Sequence, residues 1–314
     1  MPETRRGGVV AIGNFDGVHR GHQTVLAEAR NIANAAGVPA YALTFEPHPR
    51  TLFKPDAPVF RLTPDAVKAR VVEAAGLDGL LVLPFDRELA GTSAQDFVDR
   101  HIVKATSASH VVSGYDFMFG KDRQGTPDFL VAAGTRAGFG VTIVERHEDG
   151  GEALSSSRIR SALAEGDITH ANAMLGYRWS ATGEVVKGAQ LGRTLGYPTA
   201  NLVLPESCDL AHGIYAVRLR RADGTLHDGV ASYGRRPTFD NGPAWLETFI
   251  FDFSDDLYGE TITVSLFERL RGEVKFDGAD ALIAQMDLDA EQSRAILAKA
   301  EPLSPLDAKL TFHV

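Results

Sequence analysis

The sequence predicts two modules of different class. The first is an α/β module built on a parallel sheet with helices on both faces, and the second is a small antiparallel β-barrel with terminal helices. Three observations carry this prediction. Through the first half, apolar strand-like runs alternate with segments of helical apolar spacing, the pattern of a parallel sheet covered on both sides. From about Trp179 the pattern changes to short alternating strands separated by Gly, Pro and Asp turns, with no helices between them. At 314 residues the chain is long enough to bury two cores.

In chain order, Val9–Gly13 reads as a short buried strand and Gln23–Ala36 as the first helix. Ala40–Phe45, Leu80–Phe85, His110–Gly114 and Val141–Val144 repeat the strand signal. Pro64–Ala75, Ala94–Ala105 and Pro127–Ala137 repeat the helix signal between them. Sheets of this kind gather ligands at the carboxyl ends of their strands, near the point where strand order reverses. The helix-patterned Ile168–Leu175 ends this half, so the joint is expected near Gly176, giving modules 1–176 and 177–314. In the second module Ile214–Arg220, Leu246–Asp252 and Thr261–Phe267 read as strands. Helical sequence returns at Ala279–Met286 and Ala290–Lys299.

Composition narrows the function. A net charge of −9 argues against a nucleic-acid binder that relies on a broad basic surface, but leaves nucleotide substrates open. Cys208 is the single cysteine, so no intrachain disulfide forms and a cytoplasmic address is expected. No apolar run approaches the ~20 residues of a membrane span. The segment Met1–Gly8 carries two arginines without the apolar core of a secretory signal. Nothing in the sequence sets the oligomeric state.

The most informative stretch is Gly13-Asn14-Phe15-Asp16-Gly17-Val18-His19-Arg20-Gly21-His22, placed where the first strand ends and the first helix begins. Free N–H groups and the helix dipole make that location receptive to phosphate. Two imidazoles there would donate hydrogen bonds as phosphoryl charge develops. The His-x-Gly-His pattern alone also fits a pair of surface histidines, or a metal site that lacks a third ligand at close spacing. The strand–loop–helix setting favours nucleotide chemistry.

Further motifs lie at other strand ends. Thr44-Phe45-Glu46-Pro47-His48-Pro49 closes a strand in a stiff loop, for which turn chemistry alone would suffice. Gly114-Tyr115-Asp116-Phe117-Met118-Phe119-Gly120 clusters aromatics that could be core or could wall a flat ring. Leu154-Ser155-Ser156-Ser157-Arg158-Ile159-Arg160 opens a helix with serines suited to capping. It also sets two arginines against the dipole, a cost that a bound polyphosphate would offset. In the second half the most specific feature is Gly188-Ala189-Gln190-Leu191-Gly192-Arg193-Thr194-Leu195-Gly196-Tyr197-Pro198-Thr199-Ala200-Asn201. Its glycines and proline fix an unusual loop in which Thr199 and Asn201 supply a hydroxyl and an amide; a Gly-rich barrel turn is the alternative. A Walker A loop is absent; the nearest imitation, Gly114 to Asp122, is one residue too long and lacks Ser/Thr after Lys121.

Taken together, these motifs resemble those of the bacterial bifunctional riboflavin kinase/FMN adenylyltransferases, also called FAD synthetases. The match runs roughly from Val9 to Leu297 in the family's module order. It implies a Rossmann-like nucleotidyltransferase domain followed by a riboflavin kinase barrel. In the first module, His19, His22, Ser156, Ser157 and Arg160 would then hold the ATP phosphates. Gly13, Asn14, Phe15 and Asp16 would shape the nucleotide pocket, and His48, Asp116 and Phe117 would lie on the FMN side. In the second, Gly188, Gly192, Arg193 and Pro198 would form the nucleotide loop, and Thr199 and Asn201 would bind Mg²⁺ together with the ATP phosphates. Glu247 would be the general base for the riboflavin 5′-hydroxyl, and Arg294 would reach the flavin. Ser157 stands where threonine is usual. Tyr233 and Phe249 stand near positions where the family usually has a small or aliphatic residue and a histidine.

The implied reactions are riboflavin plus ATP to FMN, then FMN plus ATP to FAD and pyrophosphate. All partners are small molecules, with no nucleic acid and no membrane. Two alternatives stand beside this reading. A nucleotidyltransferase acting on another phosphate-bearing acceptor would leave the Pro198–Asn201 loop without a use. A flavin-binding sensor that has lost catalysis would show damage at His19, His22, Thr199, Asn201 or Glu247, and all five are intact.

Overall fold

The computed structural model describes residues 6–146, 148–149, 152–188, 192, 196–235 and 244–313. By contacts the chain divides into two compact units, Met1–Ser156 and Ser157–Val314.

The first unit is a five-stranded parallel sheet of β1 (Val9–Ile12), β2 (Ala40–Glu46), β3 (Gly79–Pro84), β4 (His110–Gly114) and β5 (Gly140–Val144). The order is β3-β2-β1-β4-β5, so strand order reverses between β1 and β4. Every residue of β1 is buried, as expected of a central strand covered on both faces. The intervening helices are α1 (Arg20–Ala36), α2 (Pro49–Phe53), α3 (Asp65–Ala74), α4 (Arg87–Gly91), α5 (Ala94–Phe97) and α6 (Pro127–Ala137). Val10, Ile12, Leu43, Phe45, Val111 and Leu130 belong to one apolar cluster with Phe97 and Ile102. The expected alternation is borne out, with two refinements. The segment expected as a helix over 94–105 passes at Val98–Lys104 into a wider π-helix. Two short helices, α2 and α4, occupy stretches without helical periodicity; the side chains of His48 and Asp86 cap their first turns. A two-residue pair, β6 (Glu148–Asp149) with β7 (Glu152–Ala153), ends this unit.

The second unit contains α7 (Ser156–Glu165) from its second residue onward, α8 (Ile168–Leu175) and a six-stranded antiparallel sheet. The strands are β8 (Ser180–Glu184), β9 (Thr199–Val203), β10 (Gly213–Arg220), β11 (Leu226–Gly234), β12 (Trp245–Ile250) and β13 (Thr261–Arg271), ordered β8-β13-β10-β11-β12-β9. An antiparallel bridge from Val186 to Asn201 carries the chain after β8 back onto β9, which closes the ring and hides its edges. Asn172 fastens α8 to the barrel: its side-chain amide donates to the Leu266 carbonyl and accepts from Trp179 N–H. The two helical segments expected near the end form one helix, Ala279–Leu297. Its Leu297 packs with Ala216, Val230, Phe251 and Phe267. Beyond it, Asp307 is fully buried and ion-paired to Arg178, whose guanidinium also donates to the Glu301 carbonyl and lies over the Phe267 and Phe312 rings.

Candidate active sites

In the first unit, the loop after β1 sits at the switch point beside β4. Backbone strain and an internal carboxylate shape it. Phe15 and Val18 adopt φ of 47° and 36°, a region that costs on the order of 1–3 kcal/mol for such residues and persists only when the surroundings enforce it. Asp16, 2% exposed, supplies that enforcement. Its carboxylate accepts from Leu62 N–H at 3.3 Å and Thr63 N–H at 3.1 Å, and Arg61 Nε lies 3.8 Å away. Gly17 N–H donates to Thr63 Oγ1 at 2.8 Å, and Ser156 Oγ donates to the Asp16 carbonyl at 2.8 Å.

His19 is the N-cap of α1: its Nδ1 accepts from His22 N–H at 3.3 Å. The cap places the proton of a neutral His19 on Nε2, the ring nitrogen directed away from the helix end. His22 stacks on it, with ring centroids 3.7 Å apart and planes 17° from parallel, and Phe15 meets His22 edge-on at 5.4 Å. The His22 Nδ1 is buried with no partner among the described residues. Burial, then the neighbouring His19, then the Lys68 charge push the His22 pKa well below the usual 6.5. His22 is therefore neutral at pH 6.5. Below that pH the unfolded chain takes up the proton first, so acidification removes stability until the folded pKa is reached. We expect the His22 ring signal in NMR to titrate with a midpoint well below 6.5; a midpoint at or above it contradicts this account.

Two further strand ends supply the remaining residues of this side. His48 follows β2 and accepts from Arg50 N–H through Nδ1 at 3.2 Å. Asp116 is exposed in the turn after β4, and Phe117 is partly buried. Phe117 is stacked 6.4 Å from Phe45 and 5.7 Å from Phe119. The aromatic cluster divides by depth: Phe45 and Phe119 are core, whereas Tyr115, Met118 and Phe53 are exposed, Phe53 by 67%. Gly13, Asn14, Phe15, Asp16, His19, His22, His48, Asp116 and Phe117 thus lie at the carboxyl ends of β1, β2 and β4. Ser157 and Arg160 lie on α7, in the second unit.

Beneath this loop lies a charged cluster that no sequence motif marks. Lys68, on α3, is 1% exposed, and its Nζ donates to Glu46 Oε1 at 2.6 Å, to the Asn14 carbonyl at 3.1 Å and to Thr44 Oγ1 at 3.3 Å. Arg61 donates to the same Glu46 oxygen, and Glu46 Oε2 is buried without a partner among the described residues. Burial works to raise the Glu46 pKa, yet the hydrogen bonds from Arg61 and Lys68 outweigh it and hold the carboxyl below its usual value. Burial lowers the Lys68 pKa against the opposing pull of Glu46. The available signal was a lysine at the i, i+3, i+4 spacing of Val71 and Val72, on the buried face of its helix.

In the second unit, strand register assembles the site. In the β9–β12 pair Asn201 stands opposite Glu247, and Thr199 stands opposite Phe249. Thr199 and Asn201, two residues apart on one strand, share a face, and Thr199 Oγ1 donates to Asn201 Oδ1 at 3.1 Å. They line a cavity of about 350 Å³ with Pro198, Val185, Ile250 and the Phe253–Tyr258 loop, whose Asp255 and Asp256 bring carboxylates to its wall. Tyr197 N–H donates to the Gly192 carbonyl at 2.8 Å, and a Cβ on Gly192 would lie 2.3 Å from the Tyr197 carbonyl oxygen, so this close crossing requires glycine. Tyr197 also donates to Asp287 of the long helix; burial, then that bond, raise its pKa to about 12. Gly188 precedes this crossing; Arg193 lies outside the described residues. Arg294 is half exposed and is bound by Asp252 at 2.8 Å, with its guanidinium 4.1 Å above Phe251.

Comparison with known proteins agrees with both halves. The FAD synthetase family model matches residues 1–158, and the riboflavin kinase model matches residues 175–297. A bifunctional riboflavin kinase/FMN adenylyltransferase of Pseudomonas fluorescens is 41% identical over 294 residues, covering 93% of this chain and 94% of that protein. The one from Listeria monocytogenes is 39% identical over 297 residues, covering 93% of each. A crystal structure from Streptococcus pneumoniae, named as a macrolide-efflux protein, is 35% identical with a TM-score of 0.82 over 94% of this chain and 95% of that one. Among the described residues here, no helix is long and apolar enough to cross a membrane. With matching models in sequence over most of its length and relatives at this identity, the chain belongs to the bifunctional riboflavin kinase/FMN adenylyltransferase family.

Proposed function

We propose that this chain phosphorylates riboflavin in its second module and adenylylates the FMN so formed in its first, with the functional boundary near Gly176 and the cytoplasm as its compartment. The observations that support the reading lie within each unit: family motifs of the first occupy the loops at the carboxyl ends of β1, β2 and β4, and in the second Asn201 and Glu247 stand opposite one another on β9 and β12.

In the first module the phosphate of FMN attacks the α-phosphorus of ATP, and the bond to pyrophosphate breaks. No protein nucleophile is required. His19, its proton directed to Nε2 by the helix cap, and neutral His22 donate to the phosphate oxygens as charge shifts toward the leaving group. The family resemblance assigns Ser156, Ser157 and Arg160 to the same phosphates; Asp16 acts from inside the loop by holding its shape. In the second module Glu247 accepts the proton of the riboflavin 5′-hydroxyl as that oxygen attacks the γ-phosphorus and ADP leaves.

The oxygen donors of Thr199 and Asn201 suit a hard cation such as Mg²⁺, which is held by few protein ligands and completed by phosphate and water. When bound, it neutralises charge on the ATP phosphates.

Incubation of the pure protein with riboflavin, ATP and Mg²⁺, followed by flavin chromatography, tests both steps: FMN is expected first and FAD later. The His22→Asn variant is expected to slow FMN-to-FAD conversion by about 10²–10³ while riboflavin phosphorylation stays at the wild-type rate. Unchanged riboflavin, or FMN that never becomes FAD in the wild type, would sink the corresponding half of the reading.

A further inference from the structure

The Lys68 cluster has a geometry that the two reactions do not by themselves require. An ammonium has three protons, and Lys68 has three acceptors: Glu46 Oε1, the Asn14 carbonyl and Thr44 Oγ1. Thr44 Oγ1 in turn donates to the same Asn14 carbonyl at 2.8 Å. A buried ion pair is often no more stabilising than well-packed apolar side chains of the same volume. Stability alone therefore leaves the buried charge unexplained, whereas its aim explains it. Asn14 opens the strained loop that delivers His19 and His22, and Glu46 is the last residue of β2 before Pro47-His48. One side chain from α3 thus ties together the roots of two loops that face different substrates.

We propose that Lys68 is a positioning residue for nucleotidyl transfer, setting the ATP-side histidine loop against the FMN-side loop that follows β2. This rests on reading the first module as the adenylyltransferase. Arg61 is the second arm of the same device. It bonds the Glu46 oxygen that Lys68 bonds and approaches Asp16, whose carboxylate holds the backbone N–H groups of Leu62 and Thr63. Loss of the ammonium leaves the Asn14 carbonyl with Thr44 as its donor, and the loop that carries the histidines loses its charged anchor. Misplacement of reacting groups by about 1 Å costs roughly 10²-fold in rate.

The test is steady-state kinetics of both reactions in the full chain, with Lys68→Met, Lys68→Arg and Thr44→Val. Lys68→Met is expected to lower kcat for FMN adenylylation by about 10²-fold, with smaller changes in KM for ATP and FMN and no change in riboflavin phosphorylation. Lys68→Arg, which keeps the charge, is expected to recover part of the loss. Thr44→Val, which removes one acceptor and one donor without stranding a charge, is expected to lower kcat by about tenfold. Adenylylation within about threefold of wild type in Lys68→Met overturns the proposal, being far short of the roughly 10²-fold expected of a misplaced loop. If Lys68→Met fails to fold, wild-type adenylylation in Thr44→Val overturns it instead. Failure of the wild type itself to make FAD would overturn the reading of the first module rather than the role of Lys68.

Discussion

Replacing Glu247 by glutamine is expected to lower kcat for riboflavin phosphorylation by about 10²–10⁴-fold, the range that a positioned general base contributes. The substitution keeps size and hydrogen-bonding shape and removes the lone-pair base. Glu247 occupies the central part of β12, between Leu246 and Thr248, both buried, so the backbone that carries it has little freedom to move. KM for ATP should change little, because Thr199 and Asn201 remain on the neighbouring strand. FMN supplied directly should still become FAD at the wild-type rate, which provides a control for folding within the same molecule. Stopped-flow or chromatographic assays of the two conversions decide the matter; a Glu247→Gln variant that phosphorylates riboflavin normally removes Glu247 from the chemistry.

The second large effect concerns stability. Arg178→Met should destabilise the second unit by about 3–5 kcal/mol, because it strands a carboxylate that is fully buried. Asp307 would keep the backbone donors of Arg178 and Leu303 and the Thr311 hydroxyl, but not the guanidinium that neutralises it. Burial pulls the Arg178 pKa below its ordinary range even against Asp307, so the guanidinium bears a desolvation cost that its pairing offsets in part. Adding Asp307→Asn to Arg178→Met should recover part of the loss, since an amide oxygen at the Oδ1 position still accepts from Arg178 N–H and the Thr311 hydroxyl and no buried charge remains, although Leu303 N–H loses its acceptor. Chemical denaturation of the single and double variants, followed by circular dichroism, measures this. A single variant within about 1 kcal/mol of wild type would show that the stranded carboxylate costs far less than a broken buried pair should.

Much of the architecture could be read directly, because strand ends and helix starts carry local signals. The β1 loop, the Pro47-His48 turn and the Asp116-Phe117 turn were each placed by an apolar run that stops abruptly. What escaped was tertiary in origin. The long helix read as two because Asp287 and Asp289 interrupt its apolar spacing. In the fold Asp287 accepts from Tyr197, and Asp289 pairs with Arg271 at 2.6 Å, so the polar gap is a docking point and not a break. β11 was hidden by Gly229 and Gly234 within its own length; a Cβ on Gly229 would lie 2.5 Å from the Phe249 carbonyl oxygen, so the glycine reflects crowding by the next strand. Lys68 and Glu46 were invisible as a pair, because 22 positions separate them and only the packing of α3 on the end of β2 reveals that each needs the other. For the candidate sites, residue types were legible, but the partners that orient them were not.

The register of β9 against β12 has a consequence for how this enzyme family tolerates change. Side chains on a strand alternate between two faces, so sliding one strand by a single residue would carry Glu247 to the opposite side of the sheet from Asn201 and Thr199. Every side chain would still be present, and the number of strands would be the same. On the proposed reading, the base and the nucleotide ligands would nonetheless no longer face one another. A one-residue insertion or deletion between β9 and β12 is therefore harmless only if it is absorbed in the loops. The ladder of backbone hydrogen bonds between the two strands is where the spacing of the proposed reacting groups is stored.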